Sequence, residues 1–334
     1  MDLKTRISAF AELGTRLPAI MTGSLPEQAF QANNWFTKSE VDRALKAWTQ
    51  LLTASNLFRW TDLYNIREGL SNKNVLVITA GNIPLVGFHD FVSVLITGNR
   101  FVGKLSSRDD ILLTAIAGEL IKIEPRFSEL IHSGELSTSP DAVIATGSNN
   151  SSRYFQTEYG HIRHIIRKNR SSAAIIDRNE TYDDLRNLAG DILQYYGLGC
   201  RSVSHLFLPA GYSPENLVEP LNSYTETDPC ASFSNNHRFQ KARLSLLNIP
   251  FINTDPVLLV ENESLHSPIG IVHYSYYTDK QNLLTELMPY KTEIQCLCSH
   301  KSGNTELVPY GTAQKPELWD YADQIDTMEF LINI

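Results

Sequence analysis

The stretch Val75–Ser107, VLVITAGNIPLVGFHDFVSVLITGNRFVGKLSS, constrains the fold more than any other part of the chain. Val75 to Thr79 is short, apolar and β-branched. It stops at Ala80-Gly81-Asn82, a glycine turn from which the chain enters a long apolar segment through Pro84. That order predicts strand, turn and helix. Gly98-Asn99 then reads as a helix C-terminus, and Phe101 to Leu105 is a second short apolar run ended by Ser106-Ser107. Together these make a βαβ unit, whose parallel strands offer the ends facing their following helices as a ligand crevice. Asn82, Lys104, Ser106 and Ser107 are therefore expected near one mouth.

The rest of the chain repeats the alternation. Residues 1 to 70 read as helical, with Leu3, Ile7, Phe10 and Leu13 at helical spacing up to Gly14, and Thr37-Lys38-Ser39-Glu40 resembling a capping box. Asp109 to Ile123 reads as a helix, Asp141 to Ala145 as a third strand, and Thr146-Gly147-Ser148 follows it directly. Ser148 is well placed to cap a helix running through Phe155, and a strand, a Gly/Ser turn and a helix start form a ready anion site. Ala173–Asp177 is a fourth strand and Thr181–Tyr196 a fourth helix. Further strands are expected at Ser204–Pro209, Val257–Val260, Ile269–Tyr274 and Ile294–Cys298, with helices at Pro214–Thr225, Asn235–Leu247 and Lys280–Met288.

At 334 residues the chain can hold two domains or one large one. A formal net charge of -8 argues against general nucleic-acid binding. The one basic concentration, His161–Arg170, reads either as contact for an anionic ligand or as a solvated strand and turn. No apolar run approaches the roughly 20 residues needed to span a bilayer, and no signal-peptide pattern opens the chain, so a cytoplasmic location is the default expectation. Cys200, Cys230, Cys296 and Cys298 show no zinc-like pairing, and a disulfide framework is not expected.

Cys200 differs from the other three. Gly197-Leu198-Gly199 frees the backbone for tight turns directly before it, an arrangement suited to a thiol that must meet a substrate. The bland alternative is an inert packed cysteine. A preceding helix C-terminus would also disfavour a thiolate, so activation calls for amide donors, a base or a nearby cation.

Four stretches resemble the aldehyde dehydrogenase superfamily, and more closely its LuxC-like fatty-acyl-CoA reductase branch. They are Gly81-Asn82-Ile83-Pro84 with Gly98-Asn99 and Lys104-Leu105-Ser106-Ser107; Ala145-Thr146-Gly147-Ser148; Gly197-Leu198-Gly199-Cys200; and the tail Tyr310-Gly311-Thr312-Ala313-Gln314-Lys315-Pro316 through Tyr321-Ala322-Asp323 and Asp326-Thr327-Met328. The resemblance implies an α/β fold in which a Rossmann-type parallel-sheet cofactor domain receives an inserted α/β catalytic domain. The expected division is 1–198 plus about 305–334 for the first, and 199–304 for the second.

The same resemblance implies NAD(P)H-dependent reduction of acyl-CoA to aldehyde, with Cys200 as nucleophile and Asn82 donating its amide to the oxyanion. Lys104 would contact the adenosine ribose, with Ser106 beside it. Ser107, standing where NAD-selective members often carry a glutamate, leans the cofactor to NADPH, with NADH still possible. Thr146, Gly147 and Ser148 would lie against the pyrophosphate. The base that hydrolyses the acyl-enzyme in aldehyde-oxidising members has no counterpart near Ile166–Ser171, and His266-Ser267-Pro268-Ile269-Gly270 replaces a second glutamate region. His161 and His164 are candidates for proton transfer, or plain strand residues. An acyl-transferase or synthetase partner and a homo-oligomer are also implied. The rival readings are an aldehyde dehydrogenase working toward the acid, and a silent relative that only binds.

Overall fold

Five short strands form a fully parallel sheet: β1 (Asn74–Ile78), β2 (Arg100–Lys104), β3 (Ile131–Ser133), β4 (Ala142–Thr146) and β5 (Arg163–Arg167), in the order β3-β2-β1-β4-β5. The computed structural model describes residues 1–66, 68–134, 139–300 and 307–334, the side chain of Met21 excepted. Side chains of β1 alternate as the period of two requires. Leu76 and Ile78 join Val102, Val143 and Ala145 in a cluster covered by Phe155 and Tyr159 of the helix Asn149–Tyr159. On the helical side, Phe91 meets Phe101 at 5.0 Å, Phe88 at 5.6 Å and Phe10 at 6.5 Å.

The N-terminal region is helical, with α1 (Leu3–Met21), α2 (Leu25–Ala32), α3 (Lys38–Leu51) and α4 (Ala54–Thr61). α1 runs past Gly14 because its apolar stripe continues to Leu17, which is fully buried with Phe10 and Leu13. Thr37 does stand at the N-cap of α3, but its side chain makes no cap bond; Glu40 is buried and lies 3.3 Å from Arg43 instead. The helix after β1, α5 (Phe88–Ile96), starts four residues later than Pro84. The carboxyl of Asp109 accepts the backbone N–H groups of Leu85 and Val86, which holds this segment as a turn.

A second sheet has the order β12-β11-β6-β7-β10-β9-β8, from β6 (Ser171–Ile175), β7 (Val203–Pro209), β8 (Ile252–Asn253), β9 (Leu258–Glu261), β10 (Ile271–Tyr277), β11 (Ile294–Ser299) and β12 (Val308–Pro309). Its pairs are parallel except β8 with β9. Packing divides the chain into Met1–Asn169 with Glu317–Ile334, and Arg170–Pro316. These limits differ from the sequence-based 198 and 305. β6 pairs with β7 and β11, which carries Ser171–Ile175 and the helix Tyr182–Leu193 into the second unit. The expected single helix at Pro214–Thr225 is a 3-10 turn, Pro214–Leu217, followed by Val218–Asn222. Among the described residues, no helix is long and apolar enough to cross a membrane.

Candidate active site

The first unit gathers the nucleotide-binding candidates at one edge of its sheet. Register pairs Ile78 with both Lys104 and Ala145, so the residues just beyond the carboxyl ends of β1, β2 and β4 emerge side by side. These are Asn82, then Leu105 to Ser107, then Thr146 to Ser148. Ser106 N–H donates to Thr79 Oγ1 at 3.1 Å, and its own Oγ accepts from Arg108 N–H at 3.3 Å. Lys104, Ser107 and Ser148 are exposed, whereas Asn82, Ser106, Thr146 and Gly147 are half-buried. Ser148 caps its helix as expected, accepting from Ser151 N–H at 3.2 Å.

The chemistry of this edge fits a dinucleotide. An exposed ammonium and several hydroxyls stand beside a helix start, which matches phosphate oxygens and ribose hydroxyls. Two side chains that brace the edge carry no local sequence signal. Asn33 lies in the N-terminal helical region, where no chemistry was expected, yet its Nδ2 donates to Gly81 O at 3.2 Å and Arg108 O at 3.4 Å. Asp109 is 6% exposed, and burial pushes its carboxyl up to about 8 although two backbone N–H groups oppose the shift.

The basic stretch resolves into structure. Arg167, 6% exposed, forms a bidentate pair with Asp90 of α5 at 2.6 and 2.9 Å and donates to Thr327 Oγ1 at 3.0 Å. His164 places Nδ1 2.7 Å from Ile162 O, and His161 is exposed.

In the second unit, all four cysteines are among the described residues and Cys200 is the one not buried. Burial pushes the thiols of Cys296 and Cys298 up, which keeps both protonated and unreactive. Cys200 sits in a tight turn closed by Ser202 N–H donating to Gly199 O at 3.0 Å. Ser172, fully buried on β6, donates its hydroxyl to Cys200 O at 2.9 Å and accepts from Cys296 N–H at 3.0 Å. The tail motif supports the same turn. Gln314 Nε2 donates to Ser202 Oγ at 3.1 Å, and Arg201 Nη1 approaches Ala313 O at 3.4 Å. Asp191 anchors the tail in turn, accepting from Gly311 N–H at 2.6 Å and Ala313 N–H at 3.1 Å. Its carboxyl is fully buried and pushed up to about 7.

The approach to Cys200 is strained. The helix Tyr182–Leu193 stops short of Tyr196, and Tyr195, Tyr196 and Gly197 follow in the left-handed region with φ of 53°, 54° and 74°. Left-handed backbone costs an L-residue roughly 1–2 kcal/mol. Burial of both rings holds them there, with Tyr196 OH donating to Asp228 O at 2.9 Å and its ring 5.4 Å from Phe233. A small cleft opens beside this turn, lined by Ile192, Tyr196, Gly197, Phe233 and Val257 among others. In the replaced glutamate region, His266 Nδ1 lies 2.9 Å from Ser171 Oγ.

The sequence profile of the acyl-CoA reductase (LuxC) family matches residues 35–224, a span that contains every candidate from Asn82 to Cys200. No curated protein matches the sequence. Solved structures share the fold at low identity. Aldehyde dehydrogenase 21 of Physcomitrella patens, in complex with the reaction product succinate, superposes with a TM-score of 0.64 at 13% identity over 90% of this chain and 73% of its own. A Sinorhizobium meliloti protein assigned as a methylmalonate-semialdehyde dehydrogenase and complexed with NAD gives 0.64 at 13% identity, over 91% of this chain and 74% of its own. A mutant Proline Utilization A of Bradyrhizobium japonicum gives 0.68 at 14% identity, over 90% of this chain and 36% of its own. The fold is that of the aldehyde dehydrogenase superfamily.

Proposed function

The chain belongs to the acyl-CoA reductase (LuxC) family, and from that membership we propose that it reduces an acyl-CoA thioester to the aldehyde through a covalent acyl group on Cys200. The family match carries this reading, because it embraces the half-buried thiol on its tight turn together with the polar edge of the first sheet. In the proposed cycle the Cys200 thiolate attacks the thioester carbonyl, the C–S bond to CoA breaks, and CoA leaves as the thiolate. The Asn82 side-chain amide and the Cys200 backbone N–H would donate to the oxyanion. A nicotinamide cofactor, when bound, would supply the hydride that converts the acyl-cysteine carbonyl to the thiohemiacetal oxyanion. Collapse of that adduct would release the aldehyde and restore the Cys200 thiolate.

Lys104 and Ser106 would hold the adenosine ribose, and Ser107, neutral and exposed, leaves room for the 2′-phosphate of NADPH. Thr146, Gly147 and Ser148 would meet the pyrophosphate. NAD in the Sinorhizobium meliloti structure supports a nicotinamide cofactor in general. The cleft beside Tyr196 and Gly197 would receive the acyl chain.

Intact-protein mass spectrometry after exposure to acyl-CoAs of graded length tests the reading. The expected result is one acyl mass per chain without cofactor, absent in Cys200→Ala, and released as aldehyde when NADPH is added. No acyl mass on any chain length, or steady reduction of NAD(P)⁺ by aldehyde and water without CoA, overturns it.

A further inference from the structure

We propose that Asp177, Glu180 and His300 form a binding site for a divalent transition-metal ion, Zn²⁺ or Mn²⁺, at the carboxyl ends of β6 and β11. The two strands are parallel neighbours, with Cys298 opposite Ala174 and Ser299 opposite Ile175. The residues just past them, Asp177 and His300, therefore emerge together, and the turn after β6 folds Glu180 back onto the same point. Local bonds orient both carboxylates. Asp177 N–H donates to Glu180 Oε1 at 2.6 Å, and Asn179 N–H donates to Asp177 Oδ1 at 3.1 Å.

One potential ligand atom from each of the three side chains lies within 4.8 Å of the others. His300 Nδ1 stands 3.4 Å from Asp177 Oδ1 and 3.5 Å from Glu180 Oε1. Those separations are long for hydrogen bonds, which fall at about 2.7–3.2 Å. They match two ligands of one tetrahedral ion, since donors held about 2.1 Å from a common centre stand about 3.4 Å apart. The His300 side chain is 6% exposed and that of Glu180 2%. Among the described residues, neither ring nitrogen of His300 has a hydrogen-bond partner. A buried imidazole left in that state is costly, and a cation on Nδ1 removes part of the cost.

Charge points the same way. Two carboxylates converge here, and the neighbouring lysine engages the outer oxygen: Lys280 Nζ is 3.8 Å from Asp177 Oδ2 and donates to Ser299 Oγ at 3.3 Å. One imidazole with two carboxylates and no thiolate suits Zn²⁺ or Mn²⁺. The rival explanation is a plain contact triad of the three side chains with no ion between them.

The experiment uses the full chain, stripped with a chelator and titrated with Mn²⁺ alone, an ion that thiolates hold poorly. The expected result is one Mn²⁺ per chain by equilibrium dialysis, displaced by Zn²⁺, with an imidazole nitrogen coupled to the manganese in pulsed electron paramagnetic resonance. The unfolding midpoint should rise by about 3–5 °C at saturation. His300→Gln and Asp177→Asn should each weaken binding at least about 10-fold and abolish the nitrogen coupling, the loss expected for a removed ligand. Manganese bound without nitrogen coupling, or binding unchanged in folded variants, overturns the site. So does a wild-type chain that binds neither Mn²⁺ nor Zn²⁺. Should the variants fail to fold, nitrogen coupling in wild-type protein labelled with ¹⁵N-histidine decides alone.

Discussion

Two glycines lead into the two candidate catalytic side chains, and they are needed for opposite reasons. At Gly81, just before Asn82, the backbone is outside the left-handed region, but an added Cβ would stand 2.5 Å from Ser106 Oγ and 2.8 Å from Arg108 Cβ. At Gly197, three residues before Cys200, an added Cβ would meet only Ile192 O at 3.6 Å, yet φ is +74°. The first turn is made by close approach of neighbouring strand ends, and the second by backbone conformation. The polar edge of the first unit is accordingly a product of fit, braced by Asn33 and Asp109. The Cys200 turn is a product of strain, held by buried tyrosines and the Ser172 and Gln314 hydrogen bonds.

The largest effect should come from the anchor that fixes α5 behind the Asn82 turn. Asp90→Ala leaves the Arg167 guanidinium buried without its carboxylate, and such losses cost about 3–5 kcal/mol. Chemical denaturation should show that loss, and nicotinamide binding should weaken with it. A variant as stable as wild type would mean that Arg167 finds another partner and that the edge tolerates movement. Gly81→Ala should cost less, about 1–3 kcal/mol, as overpacking does. The atoms it meets are Cβ atoms and a hydroxyl fixed near strand ends, which cannot swing away. Ser106→Gly in the same chain should recover part of the loss, and no recovery would assign the clash to Arg108.

Much of this was legible in the sequence because it rests on local pattern. β1, β2 and β4 are short runs with apolar centres followed closely by Gly, Asn or Ser, and their strand ends deliver Asn82, Lys104 and Ser148 to one edge by parallel register alone. Cys200 stood out through its two glycines. What was not legible depends on partners far away in the chain. The two-residue β12 is defined only by its pairing with β11. Nothing in Tyr195-Tyr196 signals left-handed backbone, which β-branched or aromatic residues ordinarily avoid; burial imposes it. Ser172 reads as one serine among many until β6 is placed between β7 and β11. The tail motif read as a single return segment, but packing divides it, with Tyr310–Pro316 in the second unit and Tyr321 onward in the first. In the first unit Tyr321 OH accepts from Trp60 Nε1 at 2.7 Å and lies 2.7 Å from Tyr64 OH.

Each region also buries a carboxyl whose proton is held by burial, which makes a pH test of the comparison possible. Asp109 is pushed up to about 8 and Asp191 to about 7, in both cases chiefly by burial, from a usual value near 3.8. The folded chain thus holds these protons more tightly than the unfolded one. Their contribution is complete below about pH 4 and is lost as pH rises toward 7 for Asp191 and 8 for Asp109. The unfolding midpoint should fall by several degrees between pH 5 and pH 8.5. Asp191→Asn should lessen the slope below about pH 7, whereas Asp109→Asn should lessen it across the whole interval up to about pH 8. A slope that neither variant changes would show that both carboxyls ionise freely in the folded chain.

The smallest effect separates the two glycines most cleanly. Gly197→Ala meets no clash, so its cost is the left-handed backbone alone, about 1 kcal/mol. Gly197→Asn should cost less, because asparagine tolerates that region better. At Gly81 the order reverses: asparagine is larger than alanine and should be worse. Measuring the four variants by denaturant midpoint therefore gives opposite rankings at the two sites if one is governed by conformation and the other by space. Acylation of Cys200 should slow in Gly197→Ala by more than its stability loss suggests, since the substitution acts on the turn that presents the thiol. Equal rankings at both positions would mean that the left-handed run relaxes freely, and that the tyrosines rather than the glycine set the path into Cys200.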